Sequence, residues 1–367
     1  MAGLDPMKLF FCSACHQTAF FENDSCARCG HRLGYDPARR AIIALDPMED
    51  GVTWRSVGAA DAPDAARFCE NAELDACNWL IPAADRHRFC LACRHNQTVP
   101  DLTDSGNLSR WRALERAKHR LFHTLLQLNL PITDRHEDPE HGLAFDFLAD
   151  VPGRQKVMTG HDRGLITIAL READDVERER MRINMGEHYR TVLGHFRHEI
   201  GHYLWDLLVQ RGGPLDECRA LFGDDRKDYG AALKRHYDEG PPADWRENFI
   251  SAYATMHPWE DFAETWAHYL HMIDALETAQ SYGLRTDPHV PEPDLLRAHA
   301  DVDPFRSADF HALAGVWLPM IYLLNSLNRS MGFRDAYPFV LTQPVLDKMA
   351  FMHRLVHAWS RTTPSDR

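Results

Sequence analysis

The chain has 367 residues and a formal net charge of −13, with 44% hydrophobic and 26% charged residues. That length accommodates two or three domains with real cores, and the composition excludes wholesale disorder. The acidic balance argues against a general nucleic-acid binder or a membrane-surface binder. No apolar run approaches the roughly 20 residues of a spanning helix, Gly315–Leu324 being too short. Met1–Phe11 lacks the apolar core of a secretory signal, so the expected location is cytoplasmic.

Nine cysteines are the first informative feature. Eight precede residue 94, leaving Cys218 alone in the remainder. In a reducing compartment such thiols bind metal more readily than they form a disulfide framework. Cys12-Ser-Ala-Cys15 and Cys26-Ala-Arg-Cys29 are two CxxC pairs ten residues apart, with Gly30 placed to turn the second knuckle. Four thiolates so spaced make a closed tetrahedral zinc site. Redox chemistry is the competing reading, but no βαβ pattern surrounds the pairs. Residues 1–45 resemble a zinc ribbon, a module that staples a terminus or docks a protein partner.

Asp46–Ala66 is rich in Asp, Ala, Gly and Pro and reads as a connector or weak hairpin. Cys69, Cys77, Cys90 and Cys93 follow as a looser quartet, with Asn78–Pro82 placed to pack over them. A second structural zinc fits, and four buried apolar thiols are the alternative. Residues 46–106 therefore form a second cysteine-rich module and connector. Neither quartet leaves an open coordination position, so neither is catalytic.

Residues 107–367 form the body. A helix starting at Asn107 or Ser109 carries Trp111, Leu114, Leu121, Leu125 and Leu128 on one face and ends before Pro131. Leu143–Leu148 and Leu165–Leu170 read as strands of a small sheet, and Asp174–Arg182 as a solvated helix face. Tyr189–Gln210 reads as one helix containing His198-Glu-Ile-Gly-His202. Positions i and i+4 share a face, so both imidazoles can meet one zinc ion, with Glu199 beside them as a proton acceptor. Gly201 keeps the inner side of that helix thin.

A third ligand is available on the segment from Tyr253 to His268. Pro258 suits the first turn of a helix, which puts Glu260 and Glu264 on one face. Either carboxylate can ligate while the other supports a histidine. Asp206, one turn after His202, can orient a ligand histidine or, less simply, ligate. His195, His268 and His271 are read as structural or cleft residues. Ala308–Met331 and Pro344–Trp359 read as helices packing on the body.

HExxH followed at a distance by Glu260-Asp-Phe-Ala-Glu264 resembles the gluzincin metallopeptidases, including the catalytic domain of anthrax lethal factor. The resemblance implies Glu260 as third zinc ligand and Glu264 as the carboxylate behind a ligand histidine. It also implies that Tyr253, seven positions before Glu260, stabilises an oxyanion. The whole chain, with its ribbon, its Cys69-Glu-Asn-Ala…Cys77-Asn-Trp and its His198-Glu-Ile-Gly-His-Tyr-Leu-Trp, resembles a bacterial family of zinc-binding metallopeptidases with an N-terminal zinc ribbon. The expected fold is α+β and mostly helical, a zincin-like body with a small sheet behind the ribbon. The expected function is zinc-dependent hydrolysis of a peptide or protein substrate with Glu199 as general base. The alternative is a non-catalytic, zinc-stapled scaffold.

Overall fold

The cysteine pairs set the first turns of the chain. The residue after each pair, His16 and Gly30, sits at positive φ (58° and 77°). Its N–H returns to the carbonyl of the first cysteine, at 2.8 and 2.9 Å. Flanking the first knuckle, β1 (Phe10–Phe11) pairs antiparallel with β2 (Thr18–Ala19).

Five short strands follow as an antiparallel meander: β3 (Arg32–Asp36), β4 (Ala41–Pro47), β5 (Trp54–Val57), β6 (Ala66–Phe68) and β7 (Leu80–Pro82). Ile43, Leu45, Ala66 and Leu80 form its core, with Trp54 and Phe68 packed against them. β4 runs through the boundary expected after residue 45 and pairs with β5. The stretch expected as a connector supplies β5 and part of β6. It is the weak-hairpin alternative that forms, since β5 pairs antiparallel with the end of β4 (Pro47 with Trp54, Asp46 with Arg55).

The computed structural model describes residues 9–59, 65–184 and 190–362. Their contacts separate into two units. The first runs to Leu126 and also takes Thr133–Thr159 and Thr167–Asp174. The second takes Gln127–Ile132, Gly160–Ile166 and everything from Asp175. With 45% of its residues helical and several small sheets, the chain is α+β.

In the first unit, α1 (Ser105–Gln127) starts where the Asp104 carboxylate accepts the Gly106 and Asn107 N–H groups. Asn129 at φ 51° turns the chain out of the helix before Pro131. Trp111, Leu114, Leu121, Phe122 and Leu125 are buried along its face. An aromatic cluster joins α1 to the cysteine modules. Tyr35 packs 4.7 Å from Trp79 and 4.9 Å from Phe21, and its hydroxyl lies 2.8 Å from His123 Nδ1. β8 (Asn96–Thr98) runs parallel to β9 (Ala144–Leu148).

The second unit holds β10 (Gly160–Asp162), the start of β11 (Leu165–Ala169), and the helices that carry the site. These are α2 (Asp175–Asn184), α3 (Val192–Trp205), α4 (Leu215–Phe222), α5 (Tyr229–Glu239), α6 (Pro258–Ser281), α7 (Phe310–Ser330) and α8 (Gln343–Thr362). The helix expected from Tyr189 to Gln210 is shorter. Thr191 caps α3 by accepting the Gly194 N–H at 3.0 Å, and Asp206–Gln210 forms a π-helical turn. Tyr189 lies outside the described residues. The run Gly315–Leu324 belongs to the 21-residue α7, which alone among the described residues is long and apolar enough to cross a bilayer by length and composition. Its Leu313, Trp317 and Ile321 are buried.

α3 and α6 are held unusually close. A Cβ on Gly201 would lie 3.0 Å from Ala263 Cα and 3.1 Å from Trp266 Cβ. Ala263 faces Gly201 with only a methyl group, and Phe262, Trp266 and Ile200 fill the flanks. Gly201→Val should cost about 1–3 kcal/mol by overpacking, read as a fall of several degrees in the thermal midpoint. An unchanged midpoint would mean that this contact is not where the helices meet.

Candidate metal centre and active site

α3 carries His198, Glu199 and His202 toward α6, whose first turn carries Glu260. Pro258 occupies the start of α6. The His257 ring anchors that start from outside, accepting the Trp259 N–H at 3.1 Å and reaching the Lys227 carbonyl at 3.0 Å. Three atoms converge. His198 Nε2 lies 3.2 Å from His202 Nε2 and 3.0 Å from Glu260 Oε2, which is 3.5 Å from His202 Nε2.

One histidine tautomer follows from its partner. His198 Nδ1 lies 2.7 Å from Glu264 Oε1, and the Ser251 hydroxyl donates to Glu264 Oε2 at 2.6 Å. A carboxylate is acceptor-only, so Nδ1 carries a hydrogen toward Glu264, and Nε2 is the nitrogen left to ligate a metal. Glu260 Oε2 is buried and receives no hydrogen bond, while Oε1 accepts one from the Tyr229 hydroxyl at 2.9 Å. Lone pairs in such a triangle repel unless a cation lies between them. Zinc bonds of about 2.0–2.1 Å to nitrogen or oxygen imply tetrahedral edges of roughly 3.3–3.4 Å, which these separations bracket. The donor set fits zinc.

The electrostatics point the same way. Burial opposes charge on His198, but the Glu260 and Glu264 carboxylates outweigh it and hold its pKa well above the usual imidazole range. Burial also opposes charge on Glu260, yet the two histidines hold it well below the carboxylate range. The pocket thus favours a positive charge at its centre. Glu199 is buried beside the triangle, and that burial raises its pKa.

Tyr253 lies 6.1 Å from the His198 ring between centroids, and burial raises its pKa. The Tyr229 hydroxyl donates to Glu260 Oε1 at 2.9 Å. Tyr229 and Ser251 are missing from the sequence reading, because both reach the site from other segments and no spacing ties them to HExxH.

Among the described residues, no hydrogen bond or ion pair joins the Asp206 carboxylate to a ligand histidine. Asp206 sits at the C-terminal end of α3, Glu264 holds His198, and His202 Nδ1 has no hydrogen-bond partner. Trp259 packs on His202, with ring centroids 3.7 Å apart, and the His161 ring stacks at 6.2 Å. His195, His268 and His271 stay outside the triangle. Burial lowers their pKa values to about 3, 4 and 3, and His268 meets the Tyr337 hydroxyl at 2.9 Å.

The cysteine quartets also assemble. Cys12 Sγ lies 3.6 Å from Cys29 Sγ, Cys15 from Cys26 at 3.6 Å, and Cys77 from Cys90 at 3.7 Å. Zinc–sulfur bonds of about 2.3 Å imply edges of roughly 3.8 Å. Each set of four, Cys12–Cys15–Cys26–Cys29 and Cys69–Cys77–Cys90–Cys93, can converge on one ion. Cys218 is buried elsewhere.

A two-helix site of this composition behind cysteine-rich ribbons defines a zinc-binding protein of metallopeptidase type. Residues 107–355 match the family described as "Putative zinc-binding metallo-peptidase", and residues 9–104 match a zinc-ribbon domain. The chain belongs to that metallopeptidase family. It is 42% identical over 351 residues to Uncharacterized protein Rv2568c of Mycobacterium tuberculosis, covering 95% of each chain. Uncharacterized protein Mb2598c of Mycobacterium bovis matches to the same extent. No solved structure matches.

The hydrogen bonds behind the triangle set its affinity. Glu264→Gln should weaken zinc at this centre by about 10- to 100-fold in chelator competition, with the cysteine-bound metal unaffected. Equal affinity would show that Glu264 does not hold His198.

Proposed function

We propose that the chain is a zinc-dependent metallopeptidase of gluzincin type with a zincin-like body. The convergence of His198 Nε2, His202 Nε2 and Glu260 Oε2, with Glu264 fixing the His198 tautomer, carries this reading. These three side chains hold a catalytic zinc ion, which when bound supplies Lewis acidity toward water and a scissile carbonyl. Glu199 accepts the proton of the attacking water and passes it to the leaving amine. Its burial keeps bulk water from competing for that proton. Tyr253 donates a hydrogen bond to the oxygen on which negative charge develops. Tyr229 anchors Glu260 through Oε1 and so positions the ligand.

The substrate is a peptide or protein. Two cysteine-bound zinc ions are structural, one in each quartet, and the ribbon is the surface for a protein partner. The proposed setting is cytoplasmic. Membranes and nucleic acids are not proposed as partners. A zinc-stapled scaffold is the rival from another class, and Glu199 separates the two.

Glu199→Gln should keep the zinc of the His–His–Glu centre and lose cleavage by on the order of 10²–10⁴-fold. Tyr253→Phe should lose about 10²–10³-fold in kcat. Both are read by the new N-termini that the protein generates in a proteome-derived peptide library. Identical termini with wild type and Glu199→Gln would remove the peptidase reading and leave the scaffold.

A further inference from the structure

The second cysteine centre is not built from its cysteines alone. Four thiolates around a divalent ion leave a net charge of about −2, and burying that charge requires hydrogen-bond donors at the sulfurs. Backbone N–H groups supply three. Trp79 N points at Cys77 Sγ (3.3 Å), Cys90 N at Cys69 Sγ (3.4 Å), and Cys93 N at Cys90 Sγ (3.5 Å). Among the described residues, Cys93 Sγ receives no backbone N–H. It faces the Glu115 carboxylate at 3.5 Å, a neighbour that adds negative charge.

His119 stands at that gap. It lies on α1, outside the segment matched as a zinc ribbon. Its Nε2 is 3.4 Å from Cys93 Sγ and 3.4 Å from Cys77 Sγ. The ring is buried and packs against Trp79, with centroids 5.2 Å apart. The first centre has a counterpart in His31, whose Nδ1 lies 3.2 Å from Cys29 Sγ. His31 comes from the knuckle itself, whereas His119 comes from 26 residues beyond Cys93.

We infer that His119 is a positioning residue of the second cysteine centre, donating its Nε2–H to the Cys77 and Cys93 thiolates and making the retention of that metal depend on α1. The surroundings select this role over a ligand role. Cys69, Cys77, Cys90 and Cys93 already supply four sulfurs that can meet at one ion, so no ligand is missing. Cys93, Glu115 and His119 could form a separate cation site. However, Lys118 places its ammonium 2.9 Å from Glu115 Oε1 and also bonds Asn96. With Lys118 and Glu115 both fully buried, a second cation there would meet that ammonium. The pair cancels the Glu115 charge and leaves His119 as the donor the thiolates still need. Cys77 and His119 also line a cavity of about 130 Å³.

The test is cadmium-113 NMR of the full chain, which resolves each metal centre separately, followed by timed EDTA challenge. Wild type should show two resonances in the four-sulfur range. His119→Ala should keep both in that range while losing cadmium from one of them about 10- to 100-fold faster. His119→Gln, which returns an amide N–H to nearly the same place, should recover most of the loss and guards against a simple folding defect. A wild-type resonance in the mixed nitrogen–sulfur range would make His119 a ligand and overturn the proposal. So would metal loss from His119→Ala at the wild-type rate, or His119→Gln behaving like His119→Ala.

Discussion

The approach of α3 to α6 is the constraint on which the candidate active site rests. Two histidines on one helix can offer only two nitrogens. The third donor must come from a helix whose backbone passes within a residue's width. Gly201 against Ala263 makes that passage possible, and it sits on α3 one residue before His202. Any side chain there would move Glu260 relative to both imidazoles, so packing and chemistry are set by the same contact.

That closeness has an electrostatic consequence. α6 carries Glu260, Asp261 and Asp274 into buried positions, where unpaired charge is costly. Each is answered from elsewhere. Asp261 meets Lys348 of α8 at 2.6 Å, and Asp274 pairs with Arg197 of α3. Glu260 alone faces two nitrogens with an oxygen that accepts no hydrogen bond. Two of the helix's other buried acids, Asp261 and Asp274, are thus neutralised by fixed side chains, while Glu260 is left to face a cation. The first unit shows the same logic in sulfur, where backbone amides, His31 and His119 surround the thiols and the buried Lys118–Glu115 pair is self-neutralising.

The site was legible wherever its residues share a helix. His198, Glu199 and His202 follow from the i, i+4 spacing. Pro258 marked the start of α6, and with it the face shared by Glu260 and Glu264. Tyr229 and Ser251 were not legible, because each reaches the site from a separate segment and nothing local distinguishes either from an ordinary polar residue. Nor was Trp259, whose ring packs 3.7 Å from that of His202, because ring packing leaves no signature in spacing. The cysteine quartets were readable from their own spacing, whereas the meander that joins them was not. β5 is only partly buried and lacks a clear apolar alternation, so the Asp- and Pro-rich stretch around it read equally as a connector or a weak hairpin.

The central claim is that a third metal, distinct from those of the cysteines, sits between α3 and α6. Native mass spectrometry of the zinc-loaded full chain counts bound ions directly. Three zinc ions are expected in the wild type and two in His202→Ala, with the cysteine-bound pair retained. An unchanged count on removing His202 would contradict a metal between α3 and α6.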